Sequence, residues 1–459
     1  MTPFLSTATY ADKAAEQAAP QAASPHTSHH NHPTVNQGRT LPVNLRQTGS
    51  TPVELLISTR IRKSPYWHLS VAAGAWRAEV YNRVYHPRGY LSMEEGGPLN
   101  EHQSVVNDVT MWNVAVERQI QVTGPEAEDF VNYVITRQAK KISPMHARYV
   151  ILCNEAGGIL NDPVLLRLSQ DEFWFSVSDS DLMLWLQGVN VGKGYDVRIQ
   201  EIDVCPVQIQ GPRSEALMHD LIGPVVADIP NYGLAAASVA GLPVIVSQTG
   251  FTGEKGYEIY LYDATLHAEE MWHAVLEAGK AHNLRVIAPA HPRRVQAGIL
   301  SWGQDMDAET SPLQTNLAYQ VPRMKEEDYV GKEALEAQRA QLEAGFPPFT
   351  QMLVGMRLGG KPITDYAPDF WLVSTAEHDD PVGYLTSPWY SPELGTNIAL
   401  GYVPVEQSQV GTQLRAWLPD EYAETPGEPV GAVVVQVPFR PSVNPNTREV
   451  LADEGKQFL

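Results

Sequence analysis

The sequence predicts an α+β protein in which mixed strand–helix units are followed by a small antiparallel β-barrel. Three observations predict it. The run VIVSQTGFTGEKGYEIYLY (Val244–Tyr262) reads as two apolar strands around a loop holding Gly250, Gly253 and Gly256. Upstream, strand, turn and helix signals alternate. Downstream of the stretch Phe346-Pro347-Pro348-Phe349, only short strands with Gly and Pro turns remain: QMLVGMRLGG, DPVGYLTSPWYS, TNIALGYVP, GTQLRAWL and GAVVVQVPF. The boundaries predicted are a disordered tail over 1–50, a mixed region of two interleaved domains over 51–343, and a C-terminal β-barrel domain over 344–459.

Taken in order, residues 1 to about 45 are rich in Ala, Ser, Thr, Gln, Pro and His and lack the apolar content to form a core. Their histidines, His26, His29, His30 and His32, carry no sign of fixed metal geometry, and no metal is expected. RIRKSPYWHL (Arg60–Leu69) mixes basic and aromatic residues. SVVNDVTMWNVAVERQIQVTGPEAEDFVNYVI reads as strand, turn and helix. Asn113 to Arg118 alternate as in a strand, and Glu126 to Val134 have apolar helical spacing. RYVILCNEAGGILNDPVLLRLSQDEFWFSVSDSD reads as a meander turning at Asn154–Gly158. GVNVGKG (Gly188–Gly194) lacks the full phosphate-loop spacing and is read as a turn. PVQIQGPRSEALMHDLIG is strand, turn and helix, and Leu266–Ala281 is an amphipathic helix.

With 459 residues the chain can bury a sizeable core. Its formal net charge of −20 argues against a general nucleic-acid surface, which needs a basic face. No apolar run approaches the length of a membrane span, and the N-terminus shows no secretory pattern. The two cysteines, Cys153 and Cys205, sit in apolar surroundings. A cytoplasmic protein with buried thiols is expected, with no nucleic-acid or membrane partner.

The glycine loop frames the candidate site. Side chains alternate along the strand after it, placing Tyr257, Ile259 and Leu261 on one side and Glu258, Tyr260 and Tyr262 on the other. A carboxylate there can accept paired N–H bonds from an aminopyrimidine edge, with Tyr260 packed beside it.

GFTGEKGYEIY resembles the signature of the aminomethyltransferase family, the glycine cleavage T-protein and its tetrahydrofolate-using relatives. WNVAVERQIQVTG, GGILNDPVLLRL, QIQGPRSEALM, AGILSWG, YVGKEAL and GYLTSPWYSPELG occur in the family's order, over roughly residues 55 to 440. RIRKSP, WNVAVERQ, LNDPVLLRL and SDSDLMLW are most similar to the dimethylsulfoniopropionate demethylases. PVELL resembles the folate-dependent O-demethylases of methoxybenzoates.

The resemblance implies a T-protein-like cloverleaf: two mixed α/β folate-binding domains and a C-terminal antiparallel barrel. It implies tetrahydrofolate as cofactor and methyl transfer from a small carboxylated donor. A dimethylsulfoniopropionate-like sulfonium is favoured, and the product is 5-methyltetrahydrofolate. A methoxybenzoate O-demethylase, an aminomethyltransferase of glycine cleavage and a non-enzymatic folate-binding module are the alternatives. Glu258, Tyr149, Asp162 and Arg294 are the implied cofactor residues. Asp162, Tyr260 and His86 are the catalytic candidates. Trp112, Tyr85, Arg60 and Tyr260 are the donor-binding candidates, and Tyr66, Trp67 and Arg62 stand beside them. The chain departs from the T-protein pattern at Asn161, Gln248, Gln296, Gln314 and Asn316, which bears on amine chemistry more than on the folate site.

Overall fold

The structure, a computed structural model, describes residues 57–440. The predicted tail, its histidines and the PVELL run lie outside the described residues.

A six-stranded sheet carries the Glu258 strand. Its order is Leu234–Val239, Leu242–Ser247, Gly256–Tyr262, Val204–Gln210, Val109–Asn113 and Leu284–Val286. All neighbours are antiparallel except the last pair. One face is apolar because alternate residues (Tyr257, Ile259, Leu261, Val207, Ile209, Met111) all point to it. Helices Ser214–Ile222 and Ala264–Gly279 cover that face with Leu217, Met218, Met271, Trp272 and Val275. The opposite face carries Glu258 and Tyr260, as the alternation predicts.

A second sheet is wholly antiparallel, in the order Arg198–Glu201, Gln119–Thr123, Glu172–Ser176, Val164–Arg167 and His146–Tyr149. Helices Ala127–Val134 and Leu182–Lys193 close one side of it. Its other side meets the first sheet through Ala147, Leu166 and Trp174 against Ile245 and Tyr260. The second sheet is inserted between two strands of the first, since the chain leaves after Asn113 and returns at Val204.

The third unit is a closed six-stranded barrel in the order Gln351–Leu358, Thr396–Pro404, Pro381–Ser391, Trp371–Thr375, Gln413–Ala416 and Val430–Val435. Trp389, Ile398 and Leu400 on it pack against Ile151, Ile159, Val295 and Leu313 of the preceding region.

Two local readings are corrected. Asn113–Arg118 is not a continuous strand. The strand ends at Asn113, whose side-chain oxygen accepts from the Ala115 amide at 3.2 Å, an Asx turn that breaks the ladder. Val114, Val116 and Glu117 thereby reach the cavity between the sheets. GVNVGKG is not an isolated turn. Most of it forms the end of helix Leu182–Lys193, and only Gly194, in the left-handed region at φ 75°, terminates it. Burial of Leu182 and Leu186 outweighs the helix cost of two glycines that touch nothing. Of the two free cysteines, Cys153 is buried and Cys205 only half-buried.

Candidate functional site

A cavity of about 900 Å³ opens between the two sheets and the barrel-facing loops. Four carboxylates line it: Glu117 from the Asx turn, Asp162 from the loop before Val164–Arg167, Glu258 from the central strand, and Glu254 from the glycine loop, where it pairs with Arg293.

Strand register sets the Glu258 surroundings. Ser247, Glu258, Gln208 and Trp112 lie opposite one another across four adjacent strands. Glu258 accepts from Tyr260 Oη at 3.0 Å and from Thr249 Oγ1. Burial pushes its carboxyl up, and the Thr249, Tyr260 and Ser247 hydroxyls pull it back. Gln208, directly opposite, has an Nε2 with no hydrogen-bond partner among the described residues. The glycine loop is held by close approach. A Cβ on Gly256 would stand 1.7 Å from Gln210 Nε2, and one on Gly250 would stand 2.2 Å from it. Gln210 in turn accepts from Thr252 Oγ1 at 2.6 Å. Larger residues would push the loop off the strand and open the floor of the cavity.

Glu117 accepts from Ser176 Oγ at 3.0 Å, and burial followed by the Glu258 charge pushes its carboxyl well up. Asp162 accepts from Ser178 Oγ at 2.5 Å and Tyr149 Oη at 2.9 Å. Burial raises its carboxyl to about 7, against the pull of those two hydroxyls. Asn161 braces the same loop, donating to Ser178 O at 3.0 Å and Ser180 Oγ at 2.7 Å.

A raised acid has a definite linkage sign. The native state binds more protons than the unfolded chain, so the stability Asp162 contributes is complete below its ordinary value of 3.8 and is lost as pH rises through about 7. Asp162→Asn should therefore flatten the decline in unfolding free energy between about pH 4 and about pH 7. Parallel wild-type and variant curves across that window would show that Asp162 does not titrate there.

Four of the residues picked from sequence line the cavity together: Glu258, Tyr149, Asp162 and His86. Tyr260 stands behind its wall, fully buried and bonded to Glu258. The others lie off the cavity lining. Trp112 shares the Glu258 face, but its ring is sealed beneath Val114, Ile287 and Phe251, and its Nε1 donates to Thr110 at 2.8 Å. Tyr85 packs on Trp67 and holds the Ser58 amide through its hydroxyl, away from the lining. Arg60 is exposed, and Arg62 pairs with Glu201 outside the cavity. Tyr66 lies in the core, stacked on Trp272. Arg294 is buried behind the lining, its guanidinium bound to Asp305 at 2.5 Å.

The sequence reading passed over Glu117, Gln208, Tyr81, Arg88 and His291, all of which line the cavity. Their contacts span long stretches of chain. The one local signal is Asn113, whose turn-forming side chain announces the break that delivers Glu117. Gln248 and Asn316, two of the departures from the T-protein pattern, also line the cavity. Among the described residues, no group of three or more His, Cys, Asp or Glu side chains could hold a metal ion. Nor is any helix there long and apolar enough to cross a membrane.

Fold and site together place the chain in a class. Residues 67–325 match the family model of the GCVT N-terminal domain, and residues 352–439 that of the glycine cleavage T-protein C-terminal barrel domain. The chain belongs to the aminomethyltransferase, or glycine cleavage T-protein, family. It is 32% identical over 366 residues to the dimethylsulfoniopropionate demethylase DmdA of Ruegeria pomeroyi, covering 79% of this chain and 95% of that one. It is 28% identical over 386 residues to an aminomethyltransferase of Desulforamulus reducens, covering 83% and 98%. The glycine cleavage system aminomethyltransferase T from Bartonella henselae superposes with a TM-score of 0.69 at 23% identity, covering 83% and 99%, and shares the fold.

The family's cofactor is tetrahydrofolate, and the residues present fit it. A pterin edge offers N–H donors beside a carbonyl oxygen. The acceptor Glu258 and the unpartnered Gln208 Nε2 donor, side by side across two strands, are the complement of that edge.

Proposed function

We propose that this chain is a tetrahydrofolate-dependent demethylase. In this reading a methyl group passes from a small carboxylated donor, with a dimethylsulfoniopropionate-like sulfonium favoured, to tetrahydrofolate, giving 5-methyltetrahydrofolate. The observation that carries it is the set of three carboxylates around one cavity, Asp162 and Glu258 buried and Glu117 half-buried.

Bound tetrahydrofolate supplies the nitrogen that accepts the one-carbon unit. The chain's own residues supply alignment and charge. Glu258 and Gln208 orient the cofactor edge. Tyr149 and Ser178 fix the Asp162 carboxyl, which at about 7 can hold or release a proton near neutral pH. Tyr81, Tyr149, Phe251 and Tyr319 provide aromatic faces along the wall, suited to a methyl group on a cationic centre. A sulfonium leaves as a neutral sulfide and needs no general acid. That agrees with His86, which burial and then the Arg88 charge hold neutral, well below the usual histidine range. The relationship to the Ruegeria demethylase supports the same choice.

A second reading, aminomethyl transfer in glycine cleavage, is supported by the near full-length relationship to the Desulforamulus aminomethyltransferase. The folate product separates the two. The protein should be incubated with tetrahydrofolate and, in turn, dimethylsulfoniopropionate, a trimethylammonium acid, a methoxybenzoate and an aminomethyl-lipoyl carrier. Mass spectrometry is expected to show 5-methyltetrahydrofolate with dimethylsulfoniopropionate. Methylene-tetrahydrofolate from the lipoyl carrier, with no methyl form from any donor, would overturn the demethylase reading. Methyl transfer from the methoxybenzoate alone would keep demethylation and replace the donor.

A further inference from the structure

A second polar end of the cavity is supplied by a two-stranded sheet separate from the one that carries Glu258 and Gln208. His86 and Arg88 lie two residues apart on the strand Val84–Gly89; the register shifts at Arg88, and Glu79, opposite His86 on the paired strand, binds the Arg88 guanidinium. Both are nearly fully buried, at 4% and 8% exposure, and both line the cavity. The Arg88 guanidinium pairs with Glu79, contacts His291 Nε2 and lies 5.7 Å from the centre of the Tyr366 ring. Among the described residues its Nε has no partner, and neither ring nitrogen of His86 has one. Buried polar atoms are ordinarily paired, and leaving one unpaired is costly. Three unpaired nitrogens on two adjacent side chains of one cavity wall therefore call for a ligand.

The position of this end relative to the acids is also defined. The Tyr81 ring stands 5.8 Å from the His86 ring, and the Tyr81 hydroxyl lies among Ser178, Asp162 and Glu117. One small molecule lying along Tyr81 would touch the nitrogens with one end and present the other to the acids. The nitrogens offer a guanidinium N–H and an imidazole N–H. The group that answers several convergent N–H donors, one of them charged, is a carboxylate.

We propose that Arg88 and His86 bind the carboxylate of the methyl donor and make the enzyme select carboxylated donors over their neutral esters. This assignment rests on the demethylase reading for the identity of the ligand. Arg60 and Arg62, the basic residues near the start of the fold, are outside the cavity and take no part in it.

The test is calorimetric titration of the full chain with dimethylsulfoniopropionate and 4-methoxybenzoate, each against its methyl ester, and separately with tetrahydrofolate. Wild type should bind at least one acid about tenfold or more tighter than its ester. Arg88→Gln should erase that preference and leave tetrahydrofolate affinity within about twofold. His86→Asn keeps the Arg88–Glu79 pair, should lose part of the preference, and decides the matter if Arg88→Gln does not fold. A wild type with no preference for either acid, or an Arg88→Gln protein that keeps it, would overturn the assignment. Loss of tetrahydrofolate affinity in Arg88→Gln with acid preference intact would move Arg88 to the carboxylates of the cofactor tail, and equally overturn it. A wild type that prefers the acid yet does not bind tetrahydrofolate would sink the demethylase reading and leave the carboxylate site standing.

Discussion

Arg294→Met is expected to lower the unfolding free energy by about 3–5 kcal/mol, because it strands a charge in the interior. Arg294 and its partner Asp305 both have fully buried side chains. The guanidinium donates to Asp305 at 2.5 Å, Ser387 Oγ at 2.8 Å, Ile299 O at 3.0 Å and Gln304 Oε1 at 3.2 Å. Asp305 also accepts from Thr386 at 2.5 Å, Ser387 at 2.6 Å and the Ser301 amide at 2.9 Å. The network thus fastens helix His291–Gln296 to the barrel strand Pro381–Ser391. With the arginine gone, the Asp305 carboxylate keeps its neutral donors and loses its only buried counter-charge in the network. The charge-neutral double variant Arg294→Met, Asp305→Asn should recover part of the loss, since it removes the unpaired charge. Urea unfolding checks both. A single-variant loss below about 1 kcal/mol, or a double variant worse than the sum of the singles, would show that the pair is not what holds the barrel to the helix.

Local pattern was enough to read the barrel, the Glu258 face and the helices over Ala127–Val134, Ser214–Ile222 and Ala264–Gly279, because each follows from periodicity within one segment. It misled where a single side chain redirects the backbone, as at Asn113, or where packing overrides poor helix formers, as at Gly188 and Gly192. The resemblance supplied Asp162 and Tyr149, which alternation alone would leave as ordinary strand-end residues.

The rest of the site was illegible for a physical reason. Trp112 has the residue type and sheet face of a liner, yet Val114 and Phe251 lie over it, and that covering comes from a turn and a distant loop. Arg294 was expected among the cofactor residues because it matches the family arginine in a family landmark. Its burial against Asp305 depends on a barrel strand some ninety residues later, with the Ser387 contact at a separation of 93. Glu117, Gln208, Tyr81 and Arg88 meet only when two sheets and a hairpin are brought together. Apart from the Asn113 turn ahead of Glu117, nothing in their local sequence distinguishes them from solvent-facing polar residues.

Glu258→Gln is expected to weaken tetrahydrofolate binding by about 1.5–3 kcal/mol, roughly 10- to 150-fold, through loss of a charge-assisted acceptor. The substitution keeps the size of the side chain and its place opposite Gln208. It turns one of two acceptor oxygens into an N–H, which faces the donors of Thr249 and Tyr260 on one side or those of the cofactor edge on the other. Fold should be preserved, because relief of carboxylate burial offsets part of the lost hydrogen bonding. Tetrahydrofolate titrated calorimetrically into wild type and Glu258→Gln is the measurement closest to the central claim that this cavity holds the cofactor by its Glu258 wall. The account predicts clear binding to wild type and at least a tenfold weaker constant for the folded variant; equal affinities would contradict it.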